Sequence, residues 1–188
     1  MRIAIDIDST LHNYWDQLAD AARRRFGIEL PYDAQVTWTI DRLAPEQLRA
    51  CIADTHSDER ILAARPYPGA ARAIARWRAA GHEIHIASHR AEGAHGATAR
   101  WLIREGIPFD ELCCSFDKIA YCVERGMGLL IDDSPENLLR AQAAGIVPAT
   151  IAHPWNREVR ALDGFLHAES WPALARVLAP LLAQPRAA

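Results

Sequence analysis

Ile3-Ala4-Ile5-Asp6-Ile7-Asp8-Ser9-Thr10 decides how the rest of the chain is read. Isoleucine dominates its first half and polar residues its end, the composition of a short buried strand running into a loop. Asp6 and Asp8 fall at that strand end, and the two-residue period of strand side chains sends both to one side. A carboxylate pair placed there needs either partners that compensate it or a chemical use.

Outward from this strand, hydrophobic periodicity alternates between strand and helix. Leu11, Trp15, Leu18, Ala22 and Phe26 recur at helical spacing up to Gly27. Short helices are expected at 44–53 and 57–64, and a longer one from Pro68 to Gly81. The run then reads strand at 83–88, helix at 95–105, strand at ELCCS, helix from Asp117 to Arg125, strand at 128–132, helix from Pro135 to Ala144 and strand at 147–152. Ser170 is a plausible N-cap for a last helix, and residues 184–188 are expected to fray. This alternation predicts an α/β fold with a doubly wound, Rossmann-like parallel sheet. A βαβ unit needs about 30 residues, yet the first two strands are separated by far more. The surplus predicts a helical insertion at 12–66, above the strand ends, with residues 1–11 and 67–188 forming the core domain.

The totals bound the function. The chain has 188 residues, half of them hydrophobic, and a net charge of -3 with interspersed signs, which suits one domain plus an insertion and argues against binding polymeric nucleic acid or an anionic membrane. Arg23-Arg24-Arg25 lies in a helical pattern and reads as a solvated face. No apolar stretch approaches a membrane span of about 20 residues and no signal-peptide core precedes the first strand, so a cytoplasmic location is expected. Cys51, Cys113, Cys114 and Cys122 lack metal-binding spacing and read as reduced, which disfavours zinc. Of 21 basic residues, 20 are arginine and only Lys118 is lysine, a position where a compact ammonium does something a planar guanidinium cannot.

Four features fall in order at strand ends or helix starts: DIDST at 6–10, Ser88, Lys118 opening a helix, and IDDSPEN at 131–137. Together they resemble the haloacid-dehalogenase-like superfamily over residues 2 to about 150. Within it, the insertion after the first motif and HPWN at 153–156 resemble the cytosolic type C 5'(3')-deoxyribonucleotidase family. The resemblance implies a phosphomonoesterase working through an aspartyl-phosphate, with Asp6 as nucleophile and Asp8 as acid and base. Asp8 would start protonated, its pKa raised by neighbouring carboxylates. Ser88 and Lys118 would hold the phosphoryl oxygens. Asp6, the backbone carbonyl of Asp8, and Asp132 would be ligands of Mg²⁺, with Asp133 acting directly or through water. Physics agrees: like charges about 4 Å apart repel by roughly 4 kcal/mol at an effective dielectric near 20, more than Lys118 alone offsets, and an all-oxygen ligand set selects Mg²⁺. The second aspartate favours phosphoryl over halide chemistry, since a halide leaves without a proton.

Two departures bear on the substrate. Ser9 replaces a glycine common in such phosphatases, and Ser88 is followed by His89-Arg90 where the nucleotidases tend to have Ser-Pro. Trp15 and Trp38 are candidates for stacking a base, and His89 and Arg90 for the phosphate or sugar; at helical spacing Trp15 is more often a core residue, and the alternative for Trp38 is that it closes the cap. His12 is close enough to Asp8 to reach the entrance, whereas His85 reads as a satisfied sheet residue. Asn156 would orient the acidic loop or end a turn. The expected partner is a small phosphate ester, a nucleotide first and a sugar phosphate second, for a monomer or homodimer.

Overall fold

Strands at Glu111–Cys114 (β3), Glu83–Ser88 (β2), Arg2–Ile5 (β1), Leu129–Ile131 (β4), Val147–Ile151 (β5) and Leu166–Ala168 (β6) lie side by side in that order, every pair parallel. The structure, a computed structural model, describes residues 1–115 and 117–183, so the expected fraying at 184–188 lies outside it. The order 3-2-1-4-5-6 is that of a doubly wound fold, as the alternating periodicity predicts. β1 sits at the centre, and this is why its run is apolar without interruption: Ile3 and Ile5 enter one core and Ala4 the other.

Helices cover both faces. On one, Ala70–Ala79 (α4), His95–Arg104 (α5) and Trp171–Leu182 (α9) supply Ile74, Trp101 and Leu174 to the cluster that holds Ile3 and Ile5. On the other, Lys118–Glu124 (α6) and Pro135–Ala143 (α7) supply Ile119, Cys122 and Ala141 against Ala4 and Leu130. β6 is absent from the sequence reading: it has three residues, none of them buried, and pairing with β5 defines it. The one-turn helix Arg157–Arg160 (α8) is also too short to leave a periodic signal.

Between β1 and β2 lie Tyr14–Phe26 (α1), Pro45–Thr55 (α2) and Asp58–Ala63 (α3). α1 starts at Tyr14 and not at Leu11 because Asn13 caps it, its Oδ1 accepting from Asp16 N at 3.3 Å. Leu11 and His12 remain in the entering loop, where His12 bridges to Pro66. α1 and α2 enclose their own apolar cluster of Trp15, Leu18, Leu30, Leu43 and Cys51, while Ile61 of α3 joins the main core. The arginine run is a surface feature, with Arg23 and Arg24 paired to Asp20. All four cysteines are free thiols. Among the described residues, no helix is long and apolar enough to cross a membrane.

Candidate active site

Parallel pairing brings the motif residues together at the carboxyl ends of the central strands. Ile5 pairs with Ile131, so Asp6 and Asp132 follow on adjacent strands, and the ladder continues through Asp6 N donating to Ile131 O at 2.9 Å. Ile5 also pairs with Ile86, two residues before Ser88. Lys118 opens α6 behind an Asp117 cap whose Oδ1 accepts from Ala120 N. Its ammonium, 2% exposed, donates to Asp6 Oδ1 at 2.5 Å and Asp132 Oδ2 at 2.6 Å. Burial alone would push Lys118 down in pKa, but the carboxylates of Asp132 and Asp6 more than reverse this and keep it charged.

One oxygen from each of Asp6, Asp132 and Asp133 lies within 4.8 Å of the others, a grouping able to hold a divalent cation. Burial raises the pKa of Asp6, with Lys118 opposing and Asp132 and Asp8 adding to the rise. Asp133 is pushed well up by burial, then by Asp6 and Asp132. Burial and crowding thus favour the neutral forms of Asp6 and Asp133 where no further cation joins Lys118, and hard oxygen donors without histidine or cysteine suit Mg²⁺ chemistry. Asp132 is fixed by Ser134 N, at 2.8 Å from Oδ1, and by the Asn137 amide at 3.2 and 3.3 Å, both at the start of α7. Asn137 is a site residue that the sequence reading missed, although IDDSPEN contains it.

Asp8 departs from expectation. Its carboxylate points into a separate cluster, meeting Arg90 Nη2 at 2.6 Å, Arg90 Nε at 3.2 Å and His12 Nε2 at 3.0 Å. His56 Nε2, at the end of α2, lies 3.2 Å away but off the hydrogen-bonding direction. Burial would raise the Asp8 pKa, yet Arg90 first and then the two histidines hold it well below the usual carboxylate range. The expectation of a protonated Asp8 is therefore corrected, because it counted neighbouring carboxylates and not the guanidinium. Arg90, expected to meet the phosphate or sugar, engages Asp8 and Thr98 through its three nitrogens. His89 is exposed at the surface, and partial desolvation followed by the charge of Lys118 lowers its pKa. Ser88 Oγ is buried without a hydrogen-bond partner, as is Thr10 Oγ1. His85 is satisfied by Tyr121 and Glu83, as a sheet residue should be.

A cavity of about 380 Å³ adjoins the acidic cluster, with Ser9 and Asp133 on one side and Tyr14, Trp15, Trp38 and Trp155 among its other walls. Trp15 is both packing and lining: its Nε1 donates to Leu30 O at 3.1 Å while its ring leans on Trp155. Trp38 is 49% exposed and closes the outer wall. A larger open depression of about 610 Å³, bordered by Arg78, Gly81 and Asp110, lies at the opposite strand ends, away from every motif residue.

The turn His153–Asn156 holds two of these loops. Asn156 Nδ2 donates to Ile151 O at 2.9 Å and Asp133 O at 3.4 Å, so it orients the acidic loop. His153 Nε2 donates to Ser9 O at 2.7 Å, because a carbonyl only accepts, and its Nδ1 then accepts from the Tyr32 hydroxyl at 2.7 Å. Ser9 has φ of +58°, the one positive value at a non-glycine among the described residues, a conformation costing about 1 kcal/mol. Burial holds His153 at a pKa of about 4 against an ordinary 6.5. The unfolded chain takes up a proton below 6.5 that the native one refuses, so stability is full above that pH and falls by up to about 3 kcal/mol as pH drops to 4. Urea unfolding at pH 7 and 4.5 should show this loss in the wild type and a correspondingly smaller pH dependence in His153→Asn.

Residues 1–184 match the family model described as 5' nucleotidase, deoxy (pyrimidine), cytosolic type C protein. The chain belongs to this family. It is thus a haloacid-dehalogenase-like phosphatase, a phosphoric monoester hydrolase whose substrate is a small phosphate ester. A Chlorobaculum tepidum protein provisionally named 5'(3')-deoxyribonucleotidase is 24% identical over 182 residues, covering 90% of this chain and 85% of its own. The fold matches that of a Deinococcus radiodurans family hydrolase crystallised with phosphate and sodium, at a TM-score of 0.68 and 15% identity over 98% of both chains. A haloacid-dehalogenase-like protein of Streptococcus pneumoniae also gives a TM-score of 0.68, at 15% identity over 96% of this chain and 97% of its own. These two likenesses show a shared fold over nearly the whole chain.

Proposed function

We propose that this family member is a Mg²⁺-dependent nucleoside monophosphate phosphatase that works through an aspartyl-phosphate on Asp6. The observation that carries the substrate reading is the cavity whose walls include Ser9 and Asp133 as well as three tryptophans. Tryptophan faces suit a planar base, whereas the hydroxyls of a sugar phosphate would lose water there without gaining enough partners. The helical insertion at 12–66 is read as the cap that supplies most of this lining.

Asp6, the backbone carbonyl of Asp8, Asp132 and Asp133 are the residues that would hold Mg²⁺, which when bound offsets their charge and polarises a phosphoryl oxygen. Asp6 Oδ attacks phosphorus and the bond to the ester oxygen breaks, giving the alcohol and a phosphorylated Asp6. Ser88 Oγ, buried and unpartnered, donates to a phosphoryl oxygen, and Lys118 balances the charge of the transferring group. Asp8 exchanges the protons. Ionised at rest, it is ready to accept one from the water that releases phosphate from Asp6. For the first half it needs a proton, and an incoming dianionic phosphate favours that by adding like charge beside it.

Phosphate release from a panel of nucleoside monophosphates and sugar phosphates, with and without Mg²⁺, tests the reading. Release from nucleotides only with the cation supports it; release from a sugar phosphate and none from any nucleotide overturns the substrate assignment. Within the nucleotide reading, Trp38→Ala should raise KM for the nucleotide about tenfold, the stacking of one base, while leaving kcat within roughly twofold. An unchanged KM would return Trp38 to a packing role.

A further inference from the structure

Arg90 is among the largest side chains fully buried in the protein, and its guanidinium is occupied on every side. Nε and Nη2 grip the Asp8 carboxylate from two directions, while Nη1 donates at 3.0 Å to Thr98 Oγ1. Thr98 lies on α5 and is wholly buried, so a core helix braces the guanidinium from behind. A two-pronged fork fixes the plane of a carboxylate as well as its place, which a lysine ammonium cannot do. His12 Nε2, donating to Asp8 Oδ1 at 3.0 Å, adds a third direction. No other carboxylate in the site is held this way: Asp6 and Asp132 share the ammonium of Lys118.

We propose that Arg90, braced by Thr98, is a positioning residue that sets the orientation from which Asp8 exchanges protons with the leaving group and with water. The inference rests on the phosphatase reading above. Proton transfer requires a heavy-atom approach of about 2.6–3.2 Å, and a misplacement of about 1 Å costs on the order of 100-fold. A carboxylate released from the fork can rotate away from both the leaving oxygen and the water. Its loss should therefore be felt most where the leaving group most needs a proton.

The test is the dependence of kcat/KM, which reports the first P–O cleavage, on leaving-group acidity across substituted phenyl phosphates and one alkyl phosphate. Arg90→Ala should lose about 100-fold on the alkyl ester and stay within roughly threefold on p-nitrophenyl phosphate, whose leaving group departs unprotonated. Thr98→Val should show the same skew at about tenfold, and carries the test if Arg90→Ala does not fold. Added guanidinium ion should restore much of the alkyl-ester rate to Arg90→Ala. In the Asp8→Asn background removing Arg90 should cost nothing further, because the two act as a unit, and the double variant leaves neither buried charge unpaired. A loss equal across all leaving groups, or losses that multiply in the double variant, would overturn the role of Arg90 while the phosphatase reading stands. A wild type that hydrolyses neither these esters nor any nucleoside monophosphate overturns both.

Discussion

Asp6→Asn is expected to lower phosphate release by at least about 10⁴-fold, the scale seen when a nucleophile acting within a catalytic unit is removed. The substitution keeps the shape of the side chain and an oxygen able to accept from Lys118, so the loss is chemical and not a loss of fold. An amide oxygen does not attack phosphorus to form a stable acyl-phosphate. Asp6 is crowded by Asp132 and Asp8 and held in burial that disfavours its charge. Neutralising it relieves repulsion, and the variant should be at least as stable as the wild type in urea with chelator present. Such a pattern, lost turnover with retained stability, is what a residue kept for chemistry gives. Turnover within tenfold of wild type would remove Asp6 as the nucleophile.

Lys118→Ala is expected to cost about 10³-fold in kcat by removing the charge that faces the transferring phosphoryl group. Without a metal it should also cost about 3–5 kcal/mol of stability, the penalty for leaving buried carboxylates without their cation. Millimolar Mg²⁺ should return most of the stability and little of the activity. Lys118→Arg sharpens the point. A single nitrogen lies between Asp6 and Asp132, at 2.5 and 2.6 Å, in a space 2% exposed. A guanidinium cannot place one nitrogen there without moving its other two into packed atoms, so this charge-conserving change should still lose about 100-fold. Denaturation with and without Mg²⁺, beside kcat, separates the two effects; an active Lys118→Arg enzyme would contradict the reading of this sole lysine.

The core was legible because its signals are local. Apolar runs mark the strands, and Asp6, Ser88 and Asp132 each stand at the end of one, so parallel pairing brings them together without further information. The lone lysine drew attention by composition and lies where its charge is needed. What was not legible is tertiary. Arg90 stands two residues after Ser88, which suggested a substrate contact, and its partner Asp8, 82 residues away, could not be read from that spacing. The same pairing reverses the expected protonation of Asp8, because carboxylate neighbours were visible in DIDST and the guanidinium was not. His56 closes α2 and His153 lies in the turn after β5, and no periodicity predicts that they meet Asp8 and Ser9 or that Tyr32 bonds His153. β6 exists only as a partner of β5.

The covalent step is the centre of the account, and chemical trapping tests it most directly. The protein is mixed with a nucleoside monophosphate carrying labelled phosphate and Mg²⁺, quenched in acid within one turnover, and reduced with borohydride, which converts an aspartyl-phosphate to homoserine. The account predicts labelled protein before reduction and homoserine at position 6 after it, with neither in Asp6→Asn. Phosphate released at the full single-turnover rate with no label on the protein and aspartate intact at position 6 would mean that water attacks phosphorus directly, and the proposed role of Asp6 would be wrong.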